Sequence, residues 1–395
     1  MKKIRISALY KPTGIERDIL LILNDEGRIL EKTKFDGITN DYTFLDGIVF
    51  PTLVNAHTHI ELTEFENVGK IGNLWDWILL VVKNKRSYPE EKFKNSISHG
   101  ENFFLNQGVC CIGDVRSVLP EGPYFSCTSG RIFFEVLGYS EEILQAKLKA
   151  METFLTSCNI DKGISIHSLY TTPFSVASDL IKMAEKKGLP VMIHLGETKF
   201  ESELFFQKDV NGFKKIFPDC EFERIDISSY GDIIEKLNFN ENTVLVHCVE
   251  FTKKDFDIVK KEGISVVLCP CSNLYWGENL PDFRYIMDRE INFAVGTDSP
   301  LTNGIMNLRE DANLILKNVN YEEKYYKKIF DALTYLGRKV LKISSTGLNK
   351  NELFTVLFIP NIYTEERLYD AFFNGGKIFL IQSDTKNGQI FKKQV

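Results

Sequence analysis

The 395-residue chain has no window of about 18 consecutive apolar residues, so no membrane-spanning helix is expected. A Lys/Arg-dense stripe is also missing and the formal net charge is −6, which argues against a surface that neutralises nucleic-acid phosphates and favours a small-molecule substrate. The opening MKKIRISALYKPTG is basic, yet no apolar h-region follows it; without an export signal the protein is expected in the cytoplasm. Low-complexity tracts and fixed-period repeats are absent. With 44% hydrophobic and 26% charged residues, the whole chain is expected to be folded. In a long chain without an export signal the eight cysteines read as reduced and buried, and the Cys269-Pro270-Cys271 spacing lacks the two-residue gap of zinc knuckles and thioredoxin-like sites.

What is present is rhythm. Residues 1–50 alternate short β-rich runs with turns, as a small antiparallel sheet would. From about residue 48 onward, β-branched runs are each followed by a longer amphipathic stretch. Eight such runs stand at 48–54, 109–114, 131–137, 163–168, 190–194, 243–247, 264–269 and 291–296. Eight βα units predict an α/β chain of the (β/α)8 TIM-like barrel class. Residues 306–319 and 321–342 read as helices, and 352–360 and 377–382 return to strand character. Head and tail are each too short for a stable sheet, so they are expected to combine. The predicted division is a composite β-sandwich from 1–50 plus 347–395, and a barrel over 51–346.

There are six histidines, and five sit at or just past the end of a predicted strand, where barrel active sites are built. His57 and His59 are two apart, and residues two apart on an extended chain share a face. His194 ends its run and is followed by Leu195-Gly196-Glu197, which sets a carboxylate just into the loop. His247 ends another run, and Asp298 follows an apolar strand through Gly296-Thr297. Singly, each reads equally as a core histidine or a helix-capping aspartate. Together they supply N and O ligands suited to zinc, with iron as the second choice.

The motifs Pro51-Thr52-Leu53-Val54-Asn55-Ala56-His57-Thr58-His59, His194-Leu195-Gly196-Glu197-Thr198, Leu245-Val246-His247-Cys248, Cys269-Pro270-Cys271-Ser272-Asn273-Leu274 and Gly296-Thr297-Asp298-Ser299 resemble those of the amidohydrolase superfamily, in its deaminase and chlorohydrolase branch. The resemblance runs nearly end to end. It implies that His57, His59, His194 and Asp298 ligate one divalent metal, that His247 orients a water and that Glu197 shuttles protons, with Glu197, His247 and Asp298 as the catalytic set. It also implies a terminal β-sandwich and, by analogy, a homodimer. Relatives with two metals carry a lysine on the fourth strand; Ile164-Ser165-Ile166-His167-Ser168-Leu169-Tyr170 has none, so one metal is expected. Many relatives have histidine where this chain has Glu250.

Within the superfamily, Glu61, Leu74-Trp75-Asp76-Trp77, Phe133-Phe134-Glu135-Val136 and the run from Cys269 to Gly277 look closest to the aminodeoxyfutalosine deaminases of menaquinone synthesis. That resemblance implies a metal-activated hydroxide replacing the 6-amino group of a purine nucleoside with release of ammonia. The alternatives are deamination of S-adenosylhomocysteine, methylthioadenosine, guanine or another nucleobase, a triazine-type chlorohydrolase, and a metal-free scaffold protein. Expected substrate-binding residues are Glu61, Trp75, Arg116, Glu135, His167 and Asn273. Arg116 suits a substrate carboxylate by bidentate pairing, or a structural ion pair with Asp114. Residues 200–227 form a long connection able to close over substrate, and its acids Glu201 and Glu203 are expected to be solvated.

Overall fold

In the first strand, Lys2–Lys11 (β1), Ile4, Ile6 and Ala8 turn inward while Lys3, Arg5 and Ser7 stay partly exposed, the period-two pattern of a half-covered sheet. The computed structural model describes residues 1–65, 74–119, 125, 128–157, 160–303, 306–383 and 389–395. Gly14–Leu23 (β2) pairs antiparallel with β1, and Ile29–Lys34 (β3) pairs with β2. Thr43–Pro51 (β4) then lies parallel to β1, where the sequence reading expects antiparallel pairing throughout. β3 takes the outer edge of β2, so β4 pairs on the other edge of β1.

The run 48–54, expected as one strand, is divided between two sheets. β4 ends at Pro51, and Leu53–Thr58 (β5) begins the barrel. Thr52 is the crossing point, its carbonyl and hydroxyl held by the Arg338 guanidinium at 2.7 and 2.8 Å. An unbroken apolar run carries no mark of a change of sheet.

The barrel continues through Val109–Arg116 (β6), Ser129–Val136 (β7), Asp161–Ile166 (β8), Val191–Leu195 (β9), Thr243–His247 (β10), Ser265–Leu268 (β11) and Phe293–Val295 (β12). These strands are parallel, almost wholly buried and ordered consecutively from β5 to β12, as expected for a sheet covered on both faces. The two end strands meet at the residues that matter for chemistry. The Thr297 and Asp298 N–H groups both donate to the His57 carbonyl at 3.1 Å, and Thr58 bridges Asp298. Gly296 permits the approach, since a Cβ there would stand 2.8 Å from that same carbonyl oxygen.

After the barrel, the expected helix 321–342 is two, Glu323–Ala332 and Tyr335–Val340. The chain breaks at Leu333, whose carbonyl accepts the Val54 N–H at 2.8 Å, so β5 takes a bond the helix would have used. Thr355–Pro360 (β13) joins β4, followed by Phe379–Ser383 (β14) and Ile390–Gln394 (β15), giving the sheet order β15-β14-β13-β4-β1-β2-β3. β15 and the helix Glu365–Phe373 have no counterpart in the sequence reading. β15 is the edge strand, largely exposed, and its IFKKQ pattern carries little apolar alternation. The sheet curls on itself: the Ile29 N–H bonds the Glu352 carbonyl at 2.9 Å and the Phe354 N–H bonds that of Gly27 at 3.1 Å. Ile4, Ile6, Leu21, Val49, Val356 and Phe358 form the enclosed core. No helix among the described residues is long and apolar enough to cross a membrane. Cys110, Cys111, Cys248 and Cys269 are buried free thiols, Cys220 and Cys271 are half-buried, and Cys127 and Cys158 lie outside the described residues.

Candidate metal centre and active site

The strands deliver their polar residues at one end of the barrel. His57 is on β5 with His59 just past it, His194 is on β9, His247 ends β10, and Asp298 follows β12 through Gly296 and Thr297. Ligand atoms of His57, His59, His194 and Asp298 lie within 4.8 Å of one another, and all four residues are buried. His57 Nε2 is 3.3 Å and His59 Nε2 3.6 Å from Asp298 Oδ1, while His194 Nε2 is 3.1 Å from His57 Nε2.

Protonation follows from surroundings. Burial lowers His57 to about 4 and holds His59 well below the usual imidazole value, so both rings are neutral at pH 7. Burial pushes the Asp298 carboxyl up, but the His57 hydrogen bond and the fields of His247, His57 and His59 outweigh it and hold it well below its ordinary value. His194 gives its Nδ1–H to the His167 carbonyl at 2.7 Å, which turns the Nε2 lone pair toward the cluster. Nitrogen facing nitrogen at 3.1 Å can make at most one hydrogen bond, and His247 Nε2 is buried with no partner among the described residues. Three imidazoles and a carboxylate suit a divalent cation of the zinc type, which would satisfy the opposed lone pairs.

The backbone is distorted where these side chains converge. His247, Cys248 and Asp298 adopt φ of 76, 53 and 59°, left-handed conformations unusual for non-glycine residues. Support comes from the helix Pro270–Trp276, where Ser272 Oγ donates to Asp298 Oδ2 at 2.5 Å and Asn273 Oδ1 accepts the His247 Nδ1–H at 2.8 Å. Asn273, expected to touch substrate, therefore stands behind His247. The Cys271 N–H in turn donates to Asp311 Oδ1 at 2.9 Å, while Asp311 Oδ2 is buried with no hydrogen-bond partner among the described residues. Burial raises the Asp311 carboxyl to about 8. A folded-state value above the unfolded one means that its stabilising contribution is present below about pH 4 and is lost as pH rises toward 8. Asp311→Asn cannot ionise, so its Tm advantage over wild type should grow from pH 4 to 8 and level off above, as followed by thermal melts. An advantage that does not change with pH would show that Asp311 is not titrating.

Glu197 follows β9, with Oε1 3.6 Å from His247 Nε2. Burial, reinforced by the Asp298 charge and opposed by His194, raises its carboxyl to about 7. Its N–H donates to Glu201 Oε2 at 2.8 Å. Glu201, expected in solvent, is 1% exposed because the turn Lys199–Ser202 directs it under the Glu197 backbone. Glu203 is half-buried, and Glu250 is half-buried with its N–H on the Gly196 carbonyl at 3.0 Å.

A cavity of about 740 Å³ opens from the cluster. His59, His167, His194, Glu197 and Asp298 line it, as does Glu135. Ile216 and Phe217, from the expected 200–227 connection, reach its wall, as does Trp77, which packs edge-on to Trp276 at 5.1 Å. Trp75 lies in the helix Leu74–Ser87, but its side chain lies outside the described residues. Glu61 and Arg116 are not on the cavity wall. Glu61 accepts from Lys85 and from the Ser117 and Val118 N–H groups, the latter at 3.0 Å. Arg116, 1% exposed, is turned into the protein interior against Asp114. The sequence reading missed Lys85, Lys147, Tyr170 and Ser272; for Lys147 the signal was its helical spacing from Ile143 and Ala150, which share the cavity face.

The amidohydrolase family model matches residues 48–349. The chain belongs to the amidohydrolase family. It is thus a hydrolase acting on C–N bonds, from a metal-dependent family. A 5′-deoxyadenosine deaminase of Methanococcus vannielii is 26% identical over 379 residues, covering 90% of this chain and 85% of its own. A 5-methylthioadenosine/S-adenosylhomocysteine deaminase of Clostridium tetani is 26% identical over 358 residues, covering 85% and 78%. The crystal structure of Helicobacter pylori aminofutalosine deaminase in complex with methylthio-coformycin aligns over 100% of both chains with a TM-score of 0.79 at 18% identity, which shows a shared fold.

Proposed function

We propose that this amidohydrolase is a hydrolytic deaminase of 6-aminopurine nucleosides, that it uses one zinc ion, and that aminodeoxyfutalosine, an intermediate of menaquinone synthesis, is its substrate. The observation that carries the reading is Glu197: a buried carboxyl with a value raised to about 7, beside a four-donor N/O cluster, on the wall of a cavity of nucleoside size. The names borne by the relatives from M. vannielii and C. tetani, and the aminofutalosine deaminase that shares the fold, point the same way.

His57, His59, His194 and Asp298 would hold the metal, which when bound brings the pKa of water from 15.7 toward about 7. His247, fixed through its Nδ1–H on Asn273, keeps the Nε2 lone pair free to accept a hydrogen bond from the attacking water. Glu197 takes the water proton on Oε1 and delivers it to the purine ring nitrogen next to the carbon under attack. A carboxyl near pH 7 can both accept and release that proton. A second transfer through Glu197 lets the amino group depart as ammonia. His167, its Nδ1 2.8 Å from Thr171 Oγ1, and Glu135, whose Oε1 has no hydrogen-bond partner among the described residues, remain to meet the sugar or base.

The test is ammonia release, with loss of the adenine absorbance band, when zinc-loaded protein meets aminodeoxyfutalosine, 5′-deoxyadenosine, methylthioadenosine, S-adenosylhomocysteine and adenosine. Turnover of aminodeoxyfutalosine well above the others is expected. Preference for 5′-deoxyadenosine or methylthioadenosine would keep the deaminase and replace the substrate. Failure of all five with metal bound would overturn the nucleoside reading.

A further inference from the structure

Thr198-Lys199-Phe200-Glu201 has the form of a capping box, in which a glutamate at the third position of a helix reaches back to the N–H of the capping residue. The fold departs from that form. Thr198 precedes the turn Lys199–Ser202, but its side chain makes no capping bond, and its Oγ1 is buried with no hydrogen-bond partner among the described residues. The Glu201 carboxyl passes the capping residue and takes the Glu197 N–H on Oε2 at 2.8 Å, with the Gly196 N–H as a second donor. Its Oε1 is buried with no hydrogen-bond partner among the described residues. Burial outweighs the two N–H donors and holds the carboxyl well above its ordinary value, so Glu201 is a neutral acid at pH 7. Burying a carboxyl is costly, and this one caps no helix; what it holds is the backbone of the residue that moves the proton. The same loop is tied on its other side to the turn after β10. There the Leu195 carbonyl accepts the Cys248 N–H at 3.1 Å and the Gly196 carbonyl accepts the Glu250 N–H at 3.0 Å. Gly196 is left-handed, with φ 66°, and a Cβ on it would stand 2.7 Å from the Phe251 ring.

We propose that Glu201 is a positioning residue for Glu197: its carboxyl clamps the Glu197 backbone and so fixes where the Glu197 side chain meets water and substrate. The inference deepens the deaminase reading above, and its catalytic consequence rests on that reading. Glu201 is not on the cavity wall, so it acts through Glu197 and touches no reacting atom. Glu197 Oε1, 3.6 Å from His247 Nε2, has to serve the water, the ring nitrogen and the departing amino group in turn, and a small shift of its backbone would spoil all three approaches. A neutral acid suits the clamp, because it accepts the N–H without setting a second negative charge beside Glu197.

The experiment compares Glu201→Gln, Glu201→Met and Glu201→Asp in the zinc-loaded full chain, by ammonia release from whichever of the five nucleosides wild type turns over fastest. Glutamine keeps an uncharged carbonyl at the same reach and should hold kcat within a few-fold of wild type. Methionine has a similar length but no comparable acceptor, and should lower kcat by about 10²-fold with KM and metal content little changed, the scale of a misplacement of about 1 Å. Aspartate keeps the acid but withdraws it by one methylene, and should share the loss. In a Glu197→Gln background, Glu201→Met should cost little more, because the group it places no longer carries a proton. Hydrogen–deuterium exchange over residues 195–198, measured without substrate, should quicken in the methionine variant and return to the wild-type rate in the glutamine variant. Wild-type kcat in Glu201→Met, a glutamine variant as impaired as the methionine one, or the full loss repeated in the Glu197→Gln background would overturn the proposal and leave the deaminase standing. If wild type turns over none of the five nucleosides, the deaminase reading falls and exchange alone decides the clamp: quickened exchange rescued by glutamine sustains it, and unchanged exchange overturns it.

Discussion

Glu197→Gln is expected to keep its metal at the wild-type level and to lose turnover by about 10²- to 10⁴-fold, the range that positioned proton transfer supplies. Glutamine has the same size, so the side chain can still lie beside His247 and its N–H can still bond Glu201. What it cannot do is hold or release a proton. None of the four clustered donor atoms belongs to Glu197, so metal content should not follow activity. Elemental analysis and ammonia release on the same preparation separate the two. Near wild-type turnover would move the proton to another group, His247 Nε2 standing 3.6 Å from the Glu197 carboxyl.

Asp298→Ala should lose metal and activity together, by more than the 10- to 100-fold that removal of a mere supporting partner of a ligand costs. Its Oδ1 is the oxygen shared by His57 and His59, and without it the cluster retains imidazoles but no negative charge. Chelation of the wild type should give the same loss, reversed by added zinc. The bland alternative is that Asp298 only closes the barrel, since its N–H bonds the His57 carbonyl. That bond is made by the backbone and survives the change to alanine. Retention of both metal and turnover would therefore reduce Asp298 to a strap between β5 and β12, while well below one equivalent of metal in protein purified without chelator, with nothing restored by added zinc, would favour a metal-free scaffold.

The strand-end histidines could be read in advance because two constraints act on them at once. A barrel strand is apolar on both faces, so a histidine or aspartate at its end stands out, and the fold sends every such end to one place. His57, His59, His194, His247 and Asp298 were visible for that reason. The substrate-facing residues were not, because a cavity wall is assembled from whichever helix and loop faces pack above the barrel mouth. Arg116 and Lys147 show the difference: the arginine on the strand is drawn inward to Asp114, whereas a lysine within an ordinary amphipathic helix reaches the cavity. Glu201 was misread for a related reason. Its place one short turn after Glu197 suits solvent or interior equally, and the buried N–H it accepts is visible only in three dimensions.

Residue order alone was sufficient for the βα rhythm, the family motifs and the identity of the metal-type donors, because periodicity and spacing are local properties of a chain. Packing chose the rest. It divided an unbroken apolar run at Thr52 between two sheets, ran β1 and β4 parallel, turned Asn273 to the support of His247 and set Lys147 on the Ser117 carbonyl at the cavity wall. Each of those outcomes depends on which neighbour, far away in sequence, already holds a side chain's hydrogen bond or charge.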